Sequence, residues 1–68
     1  MTITYSDARD LLYIRLDETT HEVVNRRIDA DIVLDLGPGD RIVGIEILDA
    51  SKRVDIAHLL PIQYKQTA

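Results

Sequence analysis

Apolar and polar residues alternate along much of the chain, which is the pattern of strands with one buried face. The alternation predicts strands over residues 2–5, 11–17 and 22–28, and an apolar run predicts another over residues 32–36. Residues 41–51 begin with a dense run in which six of the first eight residues are Ile, Val, Leu or Gly, so we expect them to supply the central strand. The pattern therefore predicts a small antiparallel β-sheet of four to five strands joined by hairpins.

The faces of the predicted strands differ in composition. The second strand has one apolar face, which we expect to be core, made of Leu12, Ile14 and Leu16. Tyr13 lies on its opposite, mixed face, which is expected to meet a second layer or another subunit. Arg26 and Arg27 place charges on both faces of the third strand, as is typical of a sheet edge.

Residues 37–40, Gly-Pro-Gly-Asp, predict the turn before the central strand, because the proline fixes φ and the second glycine supplies a positive φ. We favour a two-residue loop, which segregates the apolar residues by pairing Leu34 with Val43. Glu46 then lies on the opposite face, across from Asp31. A three-residue loop with a bulge would shift the pairing by one residue and place Glu46 among the apolar side chains.

Residues 49–60 have the Ala, Leu and long charged side chains of a helix, which Asp49 or Ser51 can cap and a proline ends. Its apolar arc should lie across one sheet face. Residues 62–64 either add a last short strand or fray. The predicted fold class is α+β, a single small domain over residues 1–68 with an antiparallel sheet and one C-terminal α-helix packed on a face.

Composition adds an expectation about assembly. The chain has 68 residues and no Cys, Phe or Trp, so its core must be built from Ile, Leu and Val. A domain of this size buries only about 60% of the surface that its unfolded chain exposes. Self-association would bury more, and we expect a homodimer.

Charge narrows the classes of partner. The chain has 8 basic and 12 acidic residues, for a formal net charge of -4, which opposes nucleic-acid binding and suits a basic protein partner. No apolar run reaches the ~18 residues of a membrane span, and the first residues lack the pattern of a signal peptide. We therefore expect a cytoplasmic protein with no membrane attachment.

Few residues have the pattern of a reactive site. His21 and His58 have no neighbouring ligand at metal-site spacing, and we expect His58 to be solvated. Turn capping accounts for two close carboxylate pairs more simply than acid–base chemistry does: Asp7 with Asp10, and Asp29 with Asp31. The sequence predicts no catalytic residue, cofactor site or metal site.

Glu46 is the position of greatest functional interest, because a charge within an apolar strand is costly to bury. It could form a structural ion pair with Arg15, Arg27 or Arg53, or it could bind a partner. Gly44 lies on the same face and would let another backbone come close. The candidate interaction residues are Tyr13, Ile42, Gly44, Glu46, Leu48 and Asp49.

Two blocks of sequence carry a family resemblance. The first is Thr-Tyr-Ser-Asp at residues 4–7 with Leu-Tyr-Ile at 12–14, and the second is Val-Gly-Ile-Glu-Ile-Leu-Asp-Ala-Ser at 43–51. Together they resemble the bacterial and archaeal family called domain of unknown function 2283, over nearly the whole chain. The turn at residues 37–40 departs from the acidic loop ending in glycine that members usually carry. The resemblance implies a small β-rich fold with a helix and, for some members, antitoxin-like binding of small basic toxins; it brings no catalytic residues.

Two classes of function follow. The favoured interpretation is a protein-interaction module, such as an antitoxin-like partner of a small basic toxin. The alternative is a small ligand-binding domain or enzyme that uses Glu46 and Asp49, which requires a concave pocket holding both carboxylates.

Overall fold

The computed structural model describes residues 1–19 and 22–59. The elements in chain order are β1 (Thr2–Ser6), β2 (Leu11–Arg15), β3 (Val24–Asp29), β4 (Ile32–Leu36), a 3-10 turn (Pro38–Asp40), β5 (Ile42–Leu48), α1 (Ala50–Arg53) and α2 (Ile56–Leu59). All five strands lie within two or three residues of the bounds that the sequence pattern predicts. The α+β class is consistent with this order of elements.

The strands form one antiparallel sheet in the order β1-β2-β5-β4-β3. β5 lies in the middle, which confirms the prediction from its apolar, β-branched sequence. β3 is an edge strand, as Arg26 and Arg27 predict, and every residue of it is exposed. After β2 the chain crosses to the far edge of the sheet and forms β3. It then returns through β4, and β5 fills the central position between β4 and β2.

The two faces of the sheet differ sharply. The apolar face carries Ile3, Tyr5, Leu12, Ile14, Ile32, Leu34, Leu36, Val43, Ile45 and Ile47. The mixed face carries Thr4, Leu11, Tyr13, Arg15, Val33, Asp35, Gly44, Glu46 and Leu48. Leu12, Leu36 and Val43 are buried, whereas Ile45 on the central strand is only half-buried. Leu16, expected in the core, follows the end of β2 and is 44% exposed, so that prediction is wrong.

The register between β4 and β5 differs from the favoured prediction. Leu34 pairs with Ile45, two residues from the predicted partner Val43. Because side chains alternate with a period of two, a shift of two residues leaves every side chain on its predicted face. Glu46 therefore lies opposite the apolar face, as predicted, but it faces Val33 instead of an aspartate.

A longer loop causes this shift. Gly37 N–H donates to the carbonyl of Arg41 over 2.7 Å and closes the loop around the 3-10 turn. Gly39 has a φ of 70°, which confirms the predicted positive φ, and Asp40 follows with a φ of 59°. Two successive left-handed residues lengthen the loop, and the strand pairing is irregular at the end of β4.

The C-terminal region contains two four-residue helices where the sequence predicts a single helix over residues 49–60. Val54 separates them with an extended backbone, at φ -138° and ψ 156°. The β-branched Val54 and the following Asp55 disfavour helix, and so short a segment is marginal as a helix without packing. Neither short helix packs extensively on the sheet. The segment at residues 62–64 lies outside the described residues.

Candidate functional site

Asp10, in the turn between β1 and β2, connects this hairpin to the start of α1. Its Oδ1 accepts hydrogen bonds from Tyr5 Oη at 2.7 Å and from Ser51 N–H at 2.9 Å, and its Oδ2 accepts one from Ser51 Oγ at 2.6 Å. Its carbonyl accepts the N–H of Ala50 at 2.9 Å. The first amides of α1, which lack partners within the helix, are thus satisfied from about 40 residues away in the sequence.

These hydrogen bonds shift two pKa values in opposite directions. The Ser51 hydroxyl, and then Tyr5, lower the pKa of the Asp10 carboxyl by donating to its charged form. The hydrogen bond to Asp10 raises the pKa of Tyr5 to about 12. Asp10 also has a left-handed φ of 49°, which aspartate tolerates better than most residues. The cluster joins three segments of the chain and holds Asp10 ionised.

Sequence reasoning missed this role of Asp10. It predicted Asp49 or Ser51 as the helix cap, but Asp49 makes no side-chain cap hydrogen bond and Ser51 donates to Asp10. Turn capping is confirmed for the other carboxylate pair, since Asp29 Oδ1 accepts the N–H of Asp31 at 3.1 Å. The second sequence block, which ends in Asp-Ala-Ser, drew attention to Ser51. Its local pattern does not indicate that the hydrogen-bond acceptor is Asp10, which lies far away in the sequence.

On the mixed face, the ring of Tyr13 lies over Gly44 of the central strand and reaches β4. Its hydroxyl donates to Asp35 Oδ2 at 3.0 Å, and Asn25 Nδ2 donates to Asp35 Oδ1 at 2.8 Å. Burial, and then the hydrogen bond to Asp35, raises the pKa of Tyr13. A Cβ on Gly44 would lie 2.7 Å from the Cζ of this ring. Gly44 therefore lets the ring cross the central strand.

Glu46 lies between Tyr13 of β2 and Val33 of β4 and is half-buried. Within residues 1–19 and 22–59, its carboxylate makes no hydrogen bond and no ion pair. The structural ion pair that the sequence suggested is therefore not formed there. This half-buried carboxylate on the mixed face is therefore left for water or for another molecule.

The three arginines considered as partners of Glu46 are engaged elsewhere. Arg15 Nε donates to the carbonyl of Asp17 at 3.0 Å, and Arg27 Nη1 donates to the carbonyl of Ala30 at 2.6 Å. Arg53 Nη1 bridges two aspartates of the β3–β4 hairpin, at 3.1 and 3.3 Å. These contacts are exposed or partly exposed, so each is worth little by itself, and none of them is made to Glu46.

Most of the candidate interaction residues share the mixed face: Tyr13, Gly44, Glu46 and Leu48. Ile42 begins β5 beside the irregular pairing and is 44% exposed. Asp49 follows the end of β5 and is exposed, with a left-handed φ of 49°. Among the described residues no cavity joins Glu46 to Asp49.

The remaining candidates for chemistry lie on the surface. The side chain of His58 is 84% exposed, which agrees with its predicted solvation, and its Nδ1 lies 2.7 Å from Asp55 Oδ2. No cluster of three or more metal-ligating side chains occurs in the part of the chain that is described. No helix in that part is long and apolar enough to cross a membrane. His21 lies outside it.

Comparison with known protein families gives a match that covers most of the chain. The sequence model of the family described as "Protein of unknown function (DUF2283)" matches residues 2–51. The chain belongs to this family. The matched region runs from β1 to Ser51, so it includes the whole sheet and ends at the residue that Asp10 holds. No curated protein and no solved structure matches the chain.

Proposed function

We propose that this DUF2283 domain is a protein-interaction module that binds a basic segment of another protein through its mixed face, with Glu46 as the anchor. The observation that carries the proposal is the half-buried carboxylate of Glu46 on the central strand, which has no protein partner within the described residues. A cationic side chain of a partner would supply the missing charge.

The surroundings of Glu46 suit such an anchor. Tyr13 and Val33 flank it on the neighbouring strands. Protein interfaces combine a desolvated polar contact with aromatic and aliphatic surface in this way. The hydrogen bond of Tyr13 to Asp35 holds the ring in place before binding, which lowers the entropy lost on association.

The chemistry of the site favours arginine over lysine in the partner. A guanidinium can bind a carboxylate with two hydrogen bonds and also stack on an aromatic ring such as that of Tyr13. The formal net charge of -4 would attract a basic protein at longer range. A small basic toxin, neutralised by an antitoxin-like partner, is one protein of this kind.

The test uses an arginine-rich peptide as a defined probe, titrated into the ¹⁵N-labelled domain. We expect the largest amide shifts at Tyr13, Val33 and Glu46. Glu46→Gln should weaken binding about tenfold, equivalent to about 1.4 kcal/mol. A lysine-rich peptide of equal length should bind more weakly than the arginine-rich one.

Glu22→Gln provides the matched control, because it removes the same charge from an exposed position before β3. It should weaken binding by less than about twofold, through long-range electrostatics alone. Equal losses in the two variants, or shifts spread over all acidic surfaces, would show nonspecific attraction and overturn the proposal.

A further inference from the structure

The two edges of the sheet differ in their protection against pairing with another chain. β1 carries no charged side chain, no proline and no irregularity, and its pairing with β2 is regular over all its residues. β2 is its only neighbour in the sheet of the described residues. Alternate peptide groups of β1 therefore face outward, and no strand within residues 1–19 and 22–59 accepts or donates their hydrogen bonds.

β3, at the opposite edge, has the features that prevent such pairing. It carries Arg26, Arg27 and Asp29, and its register with β4 shifts between Arg27 and Asp29. Two copies joined antiparallel over the full length of β3 would place Arg26 of one copy opposite Arg27 of the other, which is unfavourable across a strand pair. In the sheet that the described residues form, this contrast leaves β1 as the edge open to another strand.

We propose that two copies of this domain pair along β1 in antiparallel fashion, about a two-fold axis at Thr4. In this register every residue of the strand gains a partner, because Thr2 faces Ser6 and Ile3 faces Tyr5 of the second copy. Thr4 faces its own equivalent. Aromatic–β-branched pairs and Thr–Thr pairs are among the favourable cross-strand combinations.

The two-fold axis would stand perpendicular to the sheet, so the faces of the two copies remain on the same sides. Ile3 and Tyr5 lie on the apolar face, and their contacts across the axis would join the two apolar faces into one surface. Thr4 lies on the mixed face and is exposed. A single joined strand pair is smaller than a standard protein interface, so the dimer should dissociate on dilution. This inference is independent of binding at Glu46.

Sedimentation equilibrium of wild type and Thr4→Lys tests the proposal. The substitution places two ammonium groups opposite each other at the axis. It should not destabilise the isolated subunit, because Thr4 is exposed. We expect the dimer dissociation constant to rise at least about tenfold. Thr19→Lys adds the same charge in the exposed loop after β2 and should change the constant by less than about twofold. The backbone N–H of Thr19, which the substitution keeps, donates to Asp17 Oδ1.

Cross-linking gives a second readout that does not depend on a charge. The chain has no cysteine, so Thr4→Cys introduces a single thiol at the axis, and mild oxidation should join it rapidly to its equivalent in the second copy. Thr19→Cys should cross-link much more slowly. A wild type that stays monomeric at high concentration overturns the proposal. A dimer that Thr4→Lys leaves unchanged also overturns it, because the interface would then lie away from β1.

Discussion

Asp10 and Ser51 are bound to each other twice, through Ser51 Oγ at 2.6 Å and Ser51 N–H at 2.9 Å, although they stand 41 residues apart. The contact satisfies a backbone N–H at the start of α1, as the side chain of an N-cap residue does, but the acceptor is distant in the sequence instead of adjacent to the helix. It ties the first hairpin to the segment that follows the central strand. Tyr5, which lies within the region that matches the family, binds the same carboxylate.

We expect Ser51→Ala to lower the free energy of unfolding by about 1 kcal/mol, because it removes one hydrogen bond to a charged acceptor at a helix start. Asp10→Asn should lower the melting temperature by several degrees, since it removes the negative charge to which Tyr5 and Ser51 donate hydrogen bonds. Urea and thermal unfolding followed by circular dichroism would measure both changes.

In the double variant the two losses should be less than additive, since they break the same contact. Asp7→Asn is the matched control, because Asp7 lies in the same turn and its side chain makes no hydrogen bond within the described residues. It should leave stability almost unchanged. Strict additivity, or an equal loss in Asp7→Asn, would show that the Asp10–Ser51 contact does not stabilise the fold.

Alkaline pH should destabilise the protein through Tyr5. Its pKa is raised from 10.0 to about 12, so the unfolded chain loses this proton first as the pH rises. The stability that Tyr5 contributes is complete below pH 10.0 and is lost as the pH approaches 12. Tyr5→Phe should therefore show a shallower fall of unfolding free energy across this window in urea titrations. Parallel pH profiles for Tyr5→Phe and wild type would contradict the prediction.

Gly44→Ala should destabilise the protein by about 1 to 3 kcal/mol, because the new methyl group requires the Tyr13 ring to move and break its bond to Asp35. Chemical unfolding would measure the loss. In a Tyr13→Ala background the obstacle is absent, and the same change should cost less than about 1 kcal/mol. An equal cost in both backgrounds would mean that the ring does not determine the need for glycine.

Glu46→Ala should change the free energy of unfolding by less than about 1 kcal/mol, because no ion pair within the described residues is lost. Breaking a buried pair would instead cost about 3 to 5 kcal/mol. Thermal melts of Glu46→Ala beside Glu22→Ala would separate the two cases. A large loss in Glu46→Ala alone would show that this carboxylate has a structural partner.

The candidate site could be predicted only in part. Alternation along β5 placed Gly44, Glu46 and Leu48 on one face, because side-chain direction depends only on position within a strand. The structure adds that Tyr13 shares this face, since β2 pairs with β5 and Tyr13 lies opposite Glu46. The contacts of these residues could not be predicted. Whether Tyr13 reaches Asp35, and whether an arginine reaches Glu46, depends on which strands are neighbours and on the loops that set their spacing.

The sequence by itself determined the strands, the central place of β5, the exposed edge at β3 and the separation of an apolar from a mixed face. These follow from a period of two, from the apolar, β-branched composition of β5 and from local charge, which need no knowledge of distant residues. The tertiary structure decided the register of β4 on β5, the break of the helix at Val54 and the capping of Ser51 by Asp10. The register depends on the length of the loop, and the capping of Ser51 depends on a distant acceptor. The helix breaks at Val54 because so short a segment is marginal as a helix when it does not pack extensively on the sheet.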